Sequence, residues 1–179
     1  MSLILFYRHG KHTVLIPGDI TPDCLKHILD EGDGLEKRYT VFDRQAKEDN
    51  PEWHHKTNEQ PSLKSLLQQY GLSVFVAPHH GLESGFSEDL YMAVNDKPSV
   101  VVISEKRHTS DTDGSIDSRY QCSDGASGLS VDVEGVVENK FSVSTKNGHH
   151  ILIFIEGTGG VPKVFLDKDP EKLLQKIGG

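Results

Sequence analysis

The sequence predicts an α/β layered fold, a mixed sheet with flanking helices, and three observations carry that prediction. The apolar runs Leu72–Ala77 and Val100–Ile103 show almost no polar alternation, as expected of strands buried on both faces. Between such runs lie segments with apolar residues at helical spacing, each opened by a capping residue. Glycine or proline punctuates most of the junctions.

Along the chain, Leu3–Tyr7 and His12–Ile16 are two β-rich runs flanking Arg8-His9-Gly10-Lys11, a hairpin with Gly10 at its turn. Pro17-Gly18-Asp19 ends the second strand. Thr21-Pro22 then reads as an N-cap followed by proline at the first helical position, with Leu25, Ile28 and Leu29 on one face. Residues 31–60 are polar and highly charged with little periodicity, a charged insertion within the fold. Ser62 caps a second helix carrying Leu63, Leu66, Leu67 and Tyr70, which Gly71 ends. Ser87 opens a third, with Glu88 and Asp89 in the first turn where the helix dipole favours them. The segment 104–128 is rich in Ser, Asp and Gly and reads as a surface loop. Strands are expected at 141–145, 150–155 and 161–166, and a short helix at 170–177. Residues 2–179 read as a single domain or part of one, without internal repeats.

Composition narrows the function. The 179 residues carry 19 Lys+Arg against 27 Asp+Glu, a formal net charge of −8. An acidic chain is a poor nonspecific nucleic-acid binder, because counterion release needs clustered Lys and Arg. It can still act on a nucleic acid held through metal ions. No apolar run is long enough to span a bilayer. The two cysteines, Cys24 and Cys122, are far apart and read as reduced thiols of a cytoplasmic protein. The strand that starts at residue 2, with no signal peptide before it, suits either the first edge strand of a small domain or a start inside a larger one.

Two strand ends carry candidate chemistry. In Val14-Leu15-Ile16-Pro17-Gly18-Asp19 an apolar strand releases a carboxylate. In Val74-Phe75-Val76-Ala77-Pro78-His79-His80-Gly81 the same arrangement releases two imidazoles. Open α/β sheets build sites at the carboxyl ends of buried strands, and carboxylate with imidazole suits zinc, manganese or iron. Each motif also has a plain reading, since an Asp after Gly is commonly a turn or capping residue.

Together, SLILFYRHGKHTVLIPGDI and VFVAPHHGLESGFSEDLYMAVNDKPSVVVIS resemble the C-terminal half of metallo-β-lactamase-fold hydrolases, closest to the hydrolase domain of ComEC-type DNA-uptake proteins and their stand-alone relatives. The resemblance covers residues 2–104 apart from 31–60, and more weakly ISEKRHTSDTDG and KFSVSTKNGHHILI. It implies half of an αββα sandwich. It also implies an ester or phosphodiester hydrolase that uses two zinc ions, with manganese as the other option. Asp19 would then bridge the metals, and His79 or else His80 would be the terminal ligand of the second.

The sequence departs from that family at the main metal motif. None of the ten histidines sits in a His-x-His-x-Asp-His spacing, and a zinc centre needs three or four protein ligands. Three readings follow: the C-terminal part of a longer hydrolase, a half completed by a partner chain or a second copy, or a metal-free interaction domain that has lost catalysis. In the last, the strand edge at residues 3–7 would be the contact. The loop 104–128, with His108, Asp111, Asp113 and Tyr120, follows a strand that ends on the same side as His79 and is the candidate substrate loop, weighed against a plain solvated loop. His54-His55 reads as loop histidines beside Trp53, His149-His150 as a strand start, and Gly157-Thr158-Gly159-Gly160 as a turn. Ser130 lacks a nucleophile elbow.

Overall fold

A computed structural model describes residues 4–30, 62–105, 115–156 and 159–176. The charged insertion and both histidines of His54-His55 lie outside these residues.

The chain opens with the expected hairpin, β1 (Leu5–His9) against β2 (His12–Ile16), with His9 paired to His12 and Gly10 left-handed at φ 60°. Next comes α1 (Pro22–Asp30), where the Thr21 hydroxyl accepts from the Cys24 amide at 3.4 Å. In α2 (Leu63–Tyr70) Ser62 accepts from the Ser65 amide, and Gly71 at φ 68° ends the helix. Then β3 (Val74–Val76) leads to α3 (Glu88–Ala93), capped by Ser87, and to β4 (Val100–Ile103). The remaining strands are β5 (Leu129–Val133), β6 (Val136–Lys140), β7 (Ser142–Ser144), β8 (His150–Phe154) and β9 (Lys163–Asp167), and α4 (Pro170–Gln175) follows. No described helix is long and apolar enough to cross a membrane.

These strands form two mixed sheets. The first runs β1-β2-β3-β4-β7, with β2, β3, β4 and β7 parallel and β1 antiparallel at the edge; the second runs β6-β5-β9-β8. Strand alternation sorts the first sheet's apolar residues onto two faces. Leu15, Phe75, Val101 and Ile103 pack with Leu25 and Leu29 of α1, Leu63 and Leu67 of α2, and Leu90 of α3. Val74, Val100 and Val143 face the other way, onto Leu129, Val131, Val164 and Leu166 of the second sheet. Burial on both faces is why β3 and β4 lack polar alternation.

The outer face of the second sheet meets α4. Lys176, just past the helix, pairs with Asp132 at 2.7 Å and lies over the Phe165 ring, and Asp132 and Phe165 are register partners on that face. The architecture is therefore α/β, with helices, sheet, sheet and helix in layers.

The expected mixed sheet with flanking helices is present together with a second mixed sheet, part of which was not read from the sequence. The β5–β6 hairpin turns through Glu134 and Gly135, both with positive φ (49° and 91°), the geometry of a tight hairpin turn. Its signal, apolar–polar alternation in Leu129-Ser130-Val131-Asp132-Val133 followed by Glu-Gly, lies next to the long polar loop. Part of that loop is also structured: Ile116 bridges Leu82, and Asp117 opens a short turn by accepting from the Arg119 amide at 2.9 Å.

Candidate functional site

Because β2, β3, β4 and β7 are parallel, their exits share one edge of the first sheet. That edge collects Asp19 after β2, His79 and His80 after β3, Ser104 and Glu105 after β4, and Thr145 and Lys146 after β7. Among the described residues, however, no group of three or more His, Cys, Asp or Glu side chains is assembled that could hold a metal ion.

The β2 exit is short. Pro17 is buried, Gly18 is left-handed at φ 64°, Asp19 is exposed, and Ile20 returns to the core at 6% exposure. The β3 exit is conformationally costly. After the buried Pro78, three successive residues are left-handed: His79 (φ 49°), His80 (φ 59°) and Gly81 (φ 77°). Two of these carry a Cβ, a conformation that surrounding contacts must enforce.

Those contacts are present on three sides. The Ala77 amide donates to the Val102 carbonyl at 2.8 Å. The Gly81 carbonyl accepts from the Asp117 amide at 2.9 Å, and a Cβ on Gly81 would meet Ile103 Cγ2 at 3.0 Å. Gly85 lies against the same turn so closely that a Cβ there would stand 2.8 Å from the Pro78 carbonyl oxygen and 3.0 Å from His79 Cβ.

His80 is held through its side chain as well. Its Nδ1 lies 2.7 Å from the Ser104 carbonyl oxygen. A carbonyl only accepts, so Nδ1 carries the proton and, in the neutral ring, Nε2 keeps its lone pair. A bare Nε2 on an imidazole oriented through Nδ1–H is the arrangement of a metal-ligating histidine and equally of a general base. His79 is exposed.

The candidate substrate loop fares differently. His108, Asp111 and Asp113 lie outside the described residues. Tyr120 is a correction: it is 0% exposed, and its hydroxyl donates to the Gly85 carbonyl at 3.3 Å. It packs with Phe75 and Phe86, and Phe86 stacks on Tyr91. Burial pushes both tyrosine hydroxyls well above their ordinary pKa, and through its bond to Gly85 Tyr120 packs behind the turn rather than lying on the surface. Arg119 lies over Phe86 at 3.6 Å and holds the Asp117 carboxyl below the usual carboxylate range, chiefly by side-chain hydrogen bonding. Beyond the exit of β7, His149 has Nδ1 3.0 Å from the Lys146 carbonyl oxygen and Nε2 2.9 Å from Glu134 Oε1, while His150 starts β8 and is exposed.

Sequence reasoning placed Asp19, His79 and His80 at strand exits, where they lie, and singled out none of Ser104, Glu105 and Ser144. A backbone acceptor has no residue signature, which is why Ser104 was invisible. No protein-family model, curated protein or solved structure matches this chain.

Proposed function

We propose that the chain is the C-terminal part of a metal-dependent hydrolase of the metallo-β-lactamase superfamily, acting on an ester or phosphodiester. The observation that supports it best is the His80–Ser104 hydrogen bond, which leaves Nε2 as a lone pair at the strand edge that also carries Asp19. In this reading His80 is the metal-facing imidazole of the pair, and Asp19 supplies the carboxylate. The exposed His79 is left for substrate. Zinc or manganese bound there would supply Lewis acidity and acidify the attacking water. The further ligands come from a separate N-terminal half, a partner chain or a second copy.

A metal-free interaction domain is the second reading. It is favoured by the half-exposed Leu5 (50%) and Tyr7 (51%) on edge strand β1. Zinc and manganese titrations of the untagged, metal-stripped chain separate the two. Binding that is lost in both Asp19→Ala and His80→Gln supports the hydrolase. Binding that is unchanged in both variants refutes Asp19 and His80 as its ligands, and an empty chain leaves either a half-site that needs its further ligands or the interaction domain.

A further inference from the structure

The carbonyl that orients His80 belongs to a peptide whose other end is clamped. Glu105, which follows Ser104, is mostly buried, with its side chain 17% exposed. The Ser144 hydroxyl donates to its Oε1, and its Oε2 faces Lys146 Nζ at 4.0 Å. Its main-chain oxygen accepts from the Thr145 hydroxyl at 3.1 Å. Ser144 is itself fixed, since its Oγ accepts from the Lys146 amide at 2.9 Å, and the Thr145 amide donates to the Ile103 carbonyl at 3.1 Å. Both the side chain and the main chain of Glu105 are thus anchored to the exit of β7.

Peptide planarity turns this anchoring into orientation. The Ser104 carbonyl lies in one plane with the Glu105 amide and the two flanking Cα atoms, so anchoring Glu105 through its side chain and its main-chain oxygen restrains rotation of that peptide and with it the direction of the oxygen that His80 reaches. We infer that Glu105 is a positioning residue for His80: clamped by Ser144 and Thr145, it aims the Ser104 carbonyl at Nδ1 and keeps the ring in the tautomer with a bare Nε2. The inference rests on the hydrolase reading for its purpose, but not for its geometry.

The test is the tautomer of His80, read by long-range proton–nitrogen correlation NMR on the full, metal-free chain, above the ordinary imidazole pKa of about 6.5. The His80 signals are assigned by their absence in His80→Gln. Wild type should show Nδ1 protonated and Nε2 unprotonated. Glu105→Gln retains an acceptor for the Ser144 hydroxyl and should preserve that pattern. Glu105→Ala should lower the ratio of this tautomer to the other about fivefold, the change expected when one ordinary hydrogen bond is lost. Ser144→Ala should move it the same way, and decides the matter if Glu105→Ala does not fold.

An unchanged ratio in the alanine variants, or an equal fall in Glu105→Gln, overturns the positioning role even if stability drops. A wild-type ring protonated at Nε2 overturns it too. Because no metal is present, the two readings fail separately. A tautomer that responds in a chain whose metal binding is unchanged by Asp19→Ala and His80→Gln sinks only the hydrolase; an unresponsive tautomer in a chain that binds metal through His80 sinks only Glu105.

Discussion

His80 donates through Nδ1 to the carbonyl oxygen of Ser104, 2.7 Å away and 24 residues further along the chain. The bond ties the exit of β3 to the exit of β4, and it gives a left-handed histidine one defined ring orientation. Four expected outcomes follow from how that turn and its surroundings are held.

The left-handed backbone at His79 costs free energy that a glycine would not incur. For a residue with a Cβ the conformation is unfavourable by about 1–2 kcal/mol, against which glycine loses roughly 0.5–1 kcal/mol of chain entropy. His79→Gly should therefore be more stable than His79→Ala, by up to about 1.5 kcal/mol in urea unfolding. Equal stabilities would show that the turn is relaxed in solution.

Gly85 is where the turn is most tightly backed. An added methyl would meet the Pro78 carbonyl oxygen at 2.8 Å, and backbone can only move away. Gly85→Ala should cost about 1–3 kcal/mol, the usual range for overpacking, and should shift the amide resonances of His79 and His80. Wild-type stability and spectra in this variant would mean that the two segments do not touch.

Tyr120 contributes through burial more than through its hydroxyl. Tyr120→Phe removes one hydrogen bond to Gly85 and should cost about 1 kcal/mol. Tyr120→Ala should cost about 3–5 kcal/mol, as large aromatic truncations in cores do. Denaturant midpoints with unchanged slopes would measure both. A Tyr120→Ala cost no larger than that of Tyr120→Phe would place the ring outside the core.

Acid should weaken the Asp117–Arg119 pair, which joins at 2.6 Å beside the buried turn. The Asp117 carboxyl is held below its ordinary value mainly by the Arg119 side-chain hydrogen bond. A depressed folded pKa stabilises the protein above the unfolded value of about 3.9, and that contribution is lost as pH falls through the folded pKa. Thermal melts from neutral to acid pH should therefore show a larger drop in Tm below about pH 4 for wild type than for Asp117→Asn. Parallel curves would show that the pair adds nothing to folding.

The layered α/β class, the first hairpin, the caps at Thr21, Ser62 and Ser87, and the two strand-end motifs were all legible in the sequence. Each is a local matter: side-chain periodicity, a hydroxyl that can accept a helix amide, a glycine that can turn left-handed. The β5–β6 hairpin was written in the same local code, in its alternation and its Glu134-Gly135 turn, but stood beside a polar loop. Tyr120 was misread because a tyrosine in a Ser- and Asp-rich segment looks solvated, whereas its ring is drawn into a core built from β3, α3 and the Gly85 turn.

Tertiary structure alone decided how those pieces meet. That Asp19, His80 and Glu105 share one edge follows from parallel pairing of strands far apart in the chain, and strand pairing is fixed by packing rather than by any local residue pattern. That Nδ1 of His80 bears the proton follows from a backbone carbonyl, a group every residue carries and no sequence marks. The sequence alone determined which groups are available for chemistry; parallel pairing within the first sheet decided which of them share an edge, and the Ser104 carbonyl decided the protonation geometry of His80.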